Sequence, residues 1–259
     1  MKVSMSFVGL ACAVVAASGG VGDPWADTVV NYVRGSNPAG GFTDPTAALG
    51  SPTRVTAPES MFGGPVTPFN PSFGAGETVS IGEGGSLTLA FDEAVTDDAL
   101  NPFGIDLLIF GNAFYFDLDF PNGIAGPLST EGGVIELSAD GVNFFQVTGA
   151  EADGGFPTLA FNLDGTPTDF TRPVDPNFDA SGASFDDIVN GYAGSGGGLG
   201  IDIASIGLSS VSYVRISNPF GSGVTPEIDA LADVRAIPVP GTLVLVGVGG
   251  LLAGKRRRA

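Results

Sequence analysis

Apolar and polar residues alternate along much of this chain with the period of a β-strand. In Ser86-Leu87-Thr88-Leu89-Ala90-Phe91 the apolar side chains recur at every second position, the signature of a half-buried strand. Residues 134–139 repeat the pattern, with Ile135, Leu137 and Ala139 on one face. Asp140-Gly141 then makes a turn and residues 142–147 return, which predicts a hairpin. Residues 105–110 are apolar on both faces apart from Asp106, as a central strand would be. Residues 212–216 and 228–234 complete the set. In the last of these Ile228, Ala230, Ala232 and Val234 share one face, and Asp229 and Asp233 the other. Short strands separated by turns imply an all-β fold, a β-sandwich. The 41 glycines and 19 prolines punctuate the chain too often for helices of ordinary length. The proline-rich residues 23–85 read as long loops with a few strand segments, and residues 149–200 as the largest irregular stretch of the body.

The two ends have a different pattern. Met1-Lys2 carries one positive side chain, Phe7 opens a short apolar core ending at Ala17, and Ala16-Ala17-Ser18 offers small residues to a signal peptidase. The core is too short to span a membrane, so residues 1–22 read as a signal peptide cleaved between Ala17 and Gly22. Cys12 sits inside this apolar core, and the apolar sequence after it differs from the polar start of a lipoprotein. At the other end, residues 236–254 are an uncharged run of 19 residues, near the ~20 that cross a bilayer as a helix. Lys255, Arg256, Arg257 and Arg258 follow, and would stay on the cytoplasmic side. A simple tail anchor is one reading of residues 237–259. The order of proline pair, apolar segment and basic cluster also resembles the PEP-CTERM tail, which exosortase-type enzymes recognise in bacteria that build extracellular polymer matrices. That family's motif is Pro-Glu-Pro, whereas this chain has Pro238-Val239-Pro240. The resemblance implies sorting through Pro238, Pro240 and the residues Lys255 to Arg258. It further implies transient anchoring in the inner membrane, an exosortase-type partner, and a final place at the cell surface, in the outer envelope or in the matrix.

Charge narrows the chemistry of the body, residues 23–236. All 28 acidic residues lie there, against five cations, Arg34, Arg54, Arg172, Arg215 and Arg235, so the body carries −23 without one lysine. Phosphate contacts need Lys and Arg, which excludes nucleic acid as a partner. High negative charge serves solubility, and in an exported protein it also supplies hard oxygen ligands for calcium. The body has no cysteine and the chain has no histidine. Disulfides, thiolate and imidazole metal sites, and serine–histidine chemistry are therefore absent. With 43 % hydrophobic residues and 19 phenylalanines, the body has the material for a core and does not read as disordered.

Part of the body resembles a known fold. Ser138-Ala139-Asp140-Gly141-Val142-Asn143-Phe144-Phe145, followed by Ser212-Tyr213-Val214-Arg215-Ile216, is similar to the hairpin and strand of discoidin or galactose-binding-like domains. The segments from Asp106 to Phe114 and from Glu227 to Leu231 resemble uncharacterised PEP-CTERM surface proteins. The resemblance covers roughly residues 76–236. It implies a jelly-roll-like sandwich and a carbohydrate-binding role with extracellular polysaccharide as partner, and it carries over no ligand residue.

Candidate chemistry rests on carboxylates. From Asp175, oxygen-bearing side chains fall at positions 1, 3, 5, 7 and 12, namely Asp175, Asn177, Asp179, Ser181 and Asp186, the spacing of a calcium loop. Ala180 replaces the glycine of such a loop and glycine-rich sequence replaces its helices, so an EF-hand is excluded; a calcium loop of another shape and a polar loop with Asx turns are the two readings. A second cluster, Asn112, Asp117, Asp119 and Asn122, suits calcium, sugar contact or a solvated loop. Asp97, Asp98 and Asn101 read as a turn. Tyr115-Phe116 or Phe144-Phe145 could offer one ring to a sugar, although most rings must fill the core. The glycine-rich residues 194–200 lack the lysine of a phosphate loop. Three function classes follow: a non-catalytic surface or matrix protein binding glycan or calcium, a secreted glycosidase or lyase working with carboxylates alone, and a purely structural envelope component. The sequence favours the first.

Overall fold

The computed structural model describes residues 22–236, so the signal peptide up to Val21 and the sorting residues Pro238, Pro240, Lys255, Arg256, Arg257 and Arg258 lie outside the described residues. The first strands are β1 (Thr28–Val33), β2 (Val55–Thr56), β3 (Gly64–Pro65), β4 (Val79–Ser80), β5 (Ser86–Thr96), β6 (Leu107–Gly111) and β7 (Phe114–Asp117). They are followed by β8 (Ala125–Ser129), β9 (Val134–Ser138), β10 (Phe145–Gln146), helix α1 (Phe185–Tyr192), β11 (Leu199–Ile201), β12 (Ser210–Ser217) and β13 (Glu227–Asp233). The fold is all-β. One antiparallel sheet has the order β1-β5-β12-β9-β10 and a second the order β11-β6-β13-β4, with β2-β3 and β7-β8 as separate ribbons. No helix of the described residues is long and apolar enough to cross a membrane.

Alternation in the sequence becomes cross-strand rows in the first sheet. Leu87, Ile216 and Ile135 stand in register across β5, β12 and β9, and Leu89, Val214 and Leu137 form the next row on the same face. All six are essentially inaccessible to solvent. They pack with Leu107, Ile109, Ile228 and Leu231 of the second sheet in one cluster, so the two sheets enclose a common core. Each such side chain contributes roughly 1.5–3 kcal/mol on burial. On the opposite face of the first sheet, Arg215 pairs in register with Glu136 through two 2.7 Å hydrogen bonds, and its guanidinium lies 3.9 Å from the Phe144 ring centre.

β6 is buried on both faces, as its unbroken apolar run predicts. Leu107 and Ile109 face the inner core, while Leu108 and Phe110 pack outward with Phe170, Ala230, Ala232 and Val234. The buried Asp106 just before it accepts hydrogen bonds from Asn101 Nδ2 and the Asp98 and Ile203 N–H groups. A polar residue in the apolar run thus ties two neighbouring turns to the sheet.

Three expectations are corrected. Ile228 does not share a face with Ala230 and Ala232, because the β13–β6 register shifts between Ile228 and Ala230. The bulge turns Ile228 and Leu231 inward and the alanines outward. Ala139 is exposed in the turn rather than buried on the strand face. The hairpin forms, but its return is only the two residues of β10. Residues 23–85 supply an edge strand to each sheet, β1 and β4. β1 packs only Val29 and Tyr32 against the core, with a register shift between Val29 and Asn31, so it lacks the alternation that marks a strand in sequence.

Residues 149–200 cover the outer face of the second sheet. Phe110 meets Phe170 edge-on at 5.4 Å, and Phe156, Phe178 and Tyr192 form a second aromatic group beside the β7–β8 ribbon. Helix α1 forms here despite the surrounding glycines. Ser184 and Asp187 make a reciprocal capping box, Ile188, Val189 and Tyr192 bury one face, and Ala193 closes the helix in the left-handed region.

Candidate metal centre

Three acidic residues distant in sequence meet where the two sheets approach each other. Gly132 and Asp153 form an antiparallel bridge just before β9, held by Asp153 N–H to the Gly132 carbonyl at 2.8 Å and Ala152 N–H to the Gly133 carbonyl at 2.9 Å. This ladder carries Glu131 and Asp153 from the side of the first sheet. Glu227 opens β13 of the second. Gly132 and Gly133 both have positive φ, a conformation that side chains rarely adopt. Gly111, at the end of β6, leaves room for the Asp153 carboxylate. A Cβ at position 111 would overlap Asp153 Oδ1 and lie 2.9 Å from the Glu227 carbonyl oxygen.

One carboxylate oxygen from each of Glu131, Asp153 and Glu227 lies within 4.8 Å of the others, and among the described residues this is the only such group of three. Asp153 is 0 % exposed and Glu227 8 %, whereas Glu131 is half-buried. Glu227 N–H donates to Asp153 Oδ2 at 3.2 Å, and Asn112 Nδ2 donates to Glu227 Oε2 at 2.6 Å. Asp153 Oδ1 is buried with no hydrogen-bond partner among the described residues. The N–H dipoles of Asn112 and Ala113 favour its ionised form from nearby, but neither reaches Oδ1 with the length and angle of a hydrogen bond.

Without a counter-ion this arrangement resists ionisation. Burial, opposed by the Glu227 N–H and reinforced by the Glu227 charge, pushes Asp153 up to about 7. Burial again, then the facing Glu227 carboxyl and the Asp153 charge, pushes Glu131 up to about 8. Among the described residues no arginine forms an ion pair with the cluster, since the one ion pair there joins Arg215 to Glu136. A divalent cation would reverse both effects by attracting the charges that now repel. Three oxygens no more than 4.8 Å apart lie within about 2.8 Å of a common centre, a few tenths of an ångström beyond calcium–oxygen bonds of roughly 2.3–2.6 Å. The all-oxygen donor set suits a hard cation, with water completing its shell. Asp229, two residues further, is buried as well, but both of its oxygens accept from Thr53.

The residues singled out by spacing have other partners. Asp175 Oδ1 accepts from the Asn177 N–H and Nδ2, Asp179 Oδ1 accepts from Ser181 N–H, and Asp186 lies in the first turn of α1. The oxygens of Asp175, Asp179 and Asp186 are not brought together as those of the triad are. Asp117 organises the β7–β8 connection, accepting from the N–H groups of Asp119, Gly123 and Ile124, and Asp119 accepts from Asn122 Nδ2. Of that second cluster Asn112 reaches the triad. Asp140 accepts from Val142 and Asn143 within its turn. Tyr115 is buried, whereas Phe116 and Phe145 are about half exposed. Glu131, Asp153 and Glu227 share no local spacing, and the glycines that flank the first two are the only trace of the site in sequence. No family model matches this chain, and no curated protein matches it.

Proposed function

We propose that this chain is an exported, non-catalytic protein of the cell surface or extracellular matrix whose body binds a calcium ion through Glu131, Asp153 and Glu227. The observation that carries this reading is Asp153, a fully buried carboxylate with one oxygen unpartnered, beside two further carboxylates. A bound cation would join the ladder before β9 to the start of β13, so it would act as a clasp between the sheets. Export is supported by the apolar core after Lys2 and by the tail with Pro238, Pro240 and the cations Lys255 to Arg258, which also support sorting by an exosortase-type enzyme. A jelly-roll-like arrangement is the finer reading of the two sheets, supported by the hairpin from Ser138 to Phe145 and the strand through Tyr213 to Ile216. A binding role rather than catalysis is supported by the burial of Asp153, which keeps substrate atoms from it. The test is unfolding of the full chain in detergent, with excess calcium and with a chelator. A rise in midpoint with calcium that disappears in Asp153→Asn is the expected result; identical midpoints in calcium and chelator would overturn the assignment.

A further inference from the structure

Three of the five arginines of this acidic body line one cleft. Arg54, Arg172 and Arg235 surround a cavity of about 850 Å3 together with Trp25, the only tryptophan of the chain, and the edge of Phe170. The cleft of about 720 Å3 beside Phe178 carries no arginine. Arg54 forms the floor. Its guanidinium lies 4.0 Å from the Phe170 ring centre and donates to the carbonyls of Ala160 and Thr168. Arg235 donates to the Gly22 carbonyl. The Arg172 guanidinium has no hydrogen-bond acceptor among the described residues.

Among the described residues none of the three has a carboxylate within ion-pair distance, although the body holds 28 acidic residues. Asp23 and Asp169 also line the cleft. Each is engaged in its own turn, Asp23 Oδ1 with the Trp25 N–H and Asp169 Oδ1 with the Thr171 N–H and hydroxyl. The lining side chains alone, three arginines against two aspartates, therefore sum to one positive charge in a body of −23, and Asp233, just outside the lining, feels the Arg235 charge. Burial of Arg54 disfavours its charged form and the Asp169 charge, beyond ion-pair distance, opposes this only in part, so a partly desolvated guanidinium gains from a further anion placed against it.

We propose that this cleft binds a carboxylate-bearing sugar, a uronate unit of an acidic saccharide. Arginine receives a carboxylate through two parallel hydrogen bonds, and the half-buried Trp25 offers an aromatic surface to the apolar face of a pyranose ring. The volume lies inside the range of about 300–1,000 Å3 usual for small-molecule sites. The surrounding negative charge repels a long polyanion, so short oligomers bind best. Moderate salt, with a screening length of about 8 Å at 0.15 M, favours capture by screening the body more than the contacts inside the cleft.

Trp25 provides the assay, because its fluorescence reports on the cleft alone. The full chain in detergent is titrated with trigalacturonate, with a neutral trigalactoside, and with phosphatidylglycerol vesicles, all in excess chelator so that no cation bridges ligand and protein. The expected result is a saturable change with trigalacturonate only, weakened about tenfold or more in Arg172→Gln and again in Arg235→Gln, the factor carried by one charge-assisted hydrogen bond. Asp169→Asn keeps the acceptor for Thr171 and removes a like charge, so it tightens binding. Unfolding midpoints of the variants equal to the parent's separate lost contacts from lost folding. Equal response to the neutral sugar, response to vesicles without trigalacturonate, or affinity unchanged in the double arginine variant overturns the proposal. Because chelator is present throughout, its failure is independent of the calcium site.

Discussion

Replacing Asp153 by asparagine should stabilise the cation-free protein at high pH and abolish its response to calcium. Asp153 titrates at 3.8 when unperturbed and at about 7 in its buried site. Below pH 3.8 both folded and unfolded chains hold the proton, and the group is neutral in the balance. As the pH rises from about 4 to about 7, the unfolded chain releases a proton that the folded one retains, so stability falls. Above about 7 the folded carboxylate is charged in a buried place beside Glu227 and Glu131, and the loss levels off. A rise of this size corresponds to about 4 kcal/mol, an upper bound for a site that relaxes. Asparagine keeps an oxygen for the Glu227 N–H and carries no charge. Measured by urea unfolding in chelator, the variant should therefore gain on the parent by up to about 4 kcal/mol between pH 4 and pH 8. Calcium at a hundredfold excess over its dissociation constant should add about 2.7 kcal/mol to the parent at pH 8 and nothing to the variant. That increment should shrink towards pH 5, where protons compete for the same oxygens. A difference between parent and variant that is constant across pH, or a calcium increment that survives in the variant, would refute the reasoning.

Other predictions test the frame around the site. Gly111→Ala places a methyl group on Asp153 Oδ1; it should lower stability by about 1–3 kcal/mol and suppress the calcium increment, read in the same unfolding assay. Leu137→Ala, in the centre of a core row, should cost about 2–5 kcal/mol. Arg215→Ala breaks the partly exposed pair with Glu136 and should cost only about 1 kcal/mol; a larger loss there than at Leu137 would mean that the outer face contributes more than the core. Changing Lys255, Arg256, Arg257 and Arg258 to glutamine should alter the fractionation of the expressed protein between membrane and medium while leaving its calcium increment intact.

What the sequence determined by itself is the class of the fold and the limits of its chemistry. The alternation at Leu87-Thr88-Leu89 and Ile135-Glu136-Leu137, and the unbroken run of Leu107 to Phe110, are local patterns, and they specify strands because a pleated backbone sends successive side chains to opposite faces. The absence of histidine and cysteine from the body limits its metal ligands to oxygen in the same direct way. Tertiary structure decided the rest. The phase of β13 depends on a bulge between Ile228 and Ala230, set by pairing with β6 and not by the residues of β13. Edge strands such as β1 bury too little for their pattern to show. Helix α1 depends on a cap and one apolar face within glycine-rich sequence. The spacing of Asp175, Asn177 and Asp179 is local, and such spacing serves Asx turns as readily as metal ligation. Glu131, Asp153 and Glu227 come from three separate segments, as do Trp25, Arg54, Arg172 and Arg235. Only the packing of one sheet against the other, and of residues 149–200 over the second, brings like charges close enough to shift their proton affinities and leaves arginines without counter-ions.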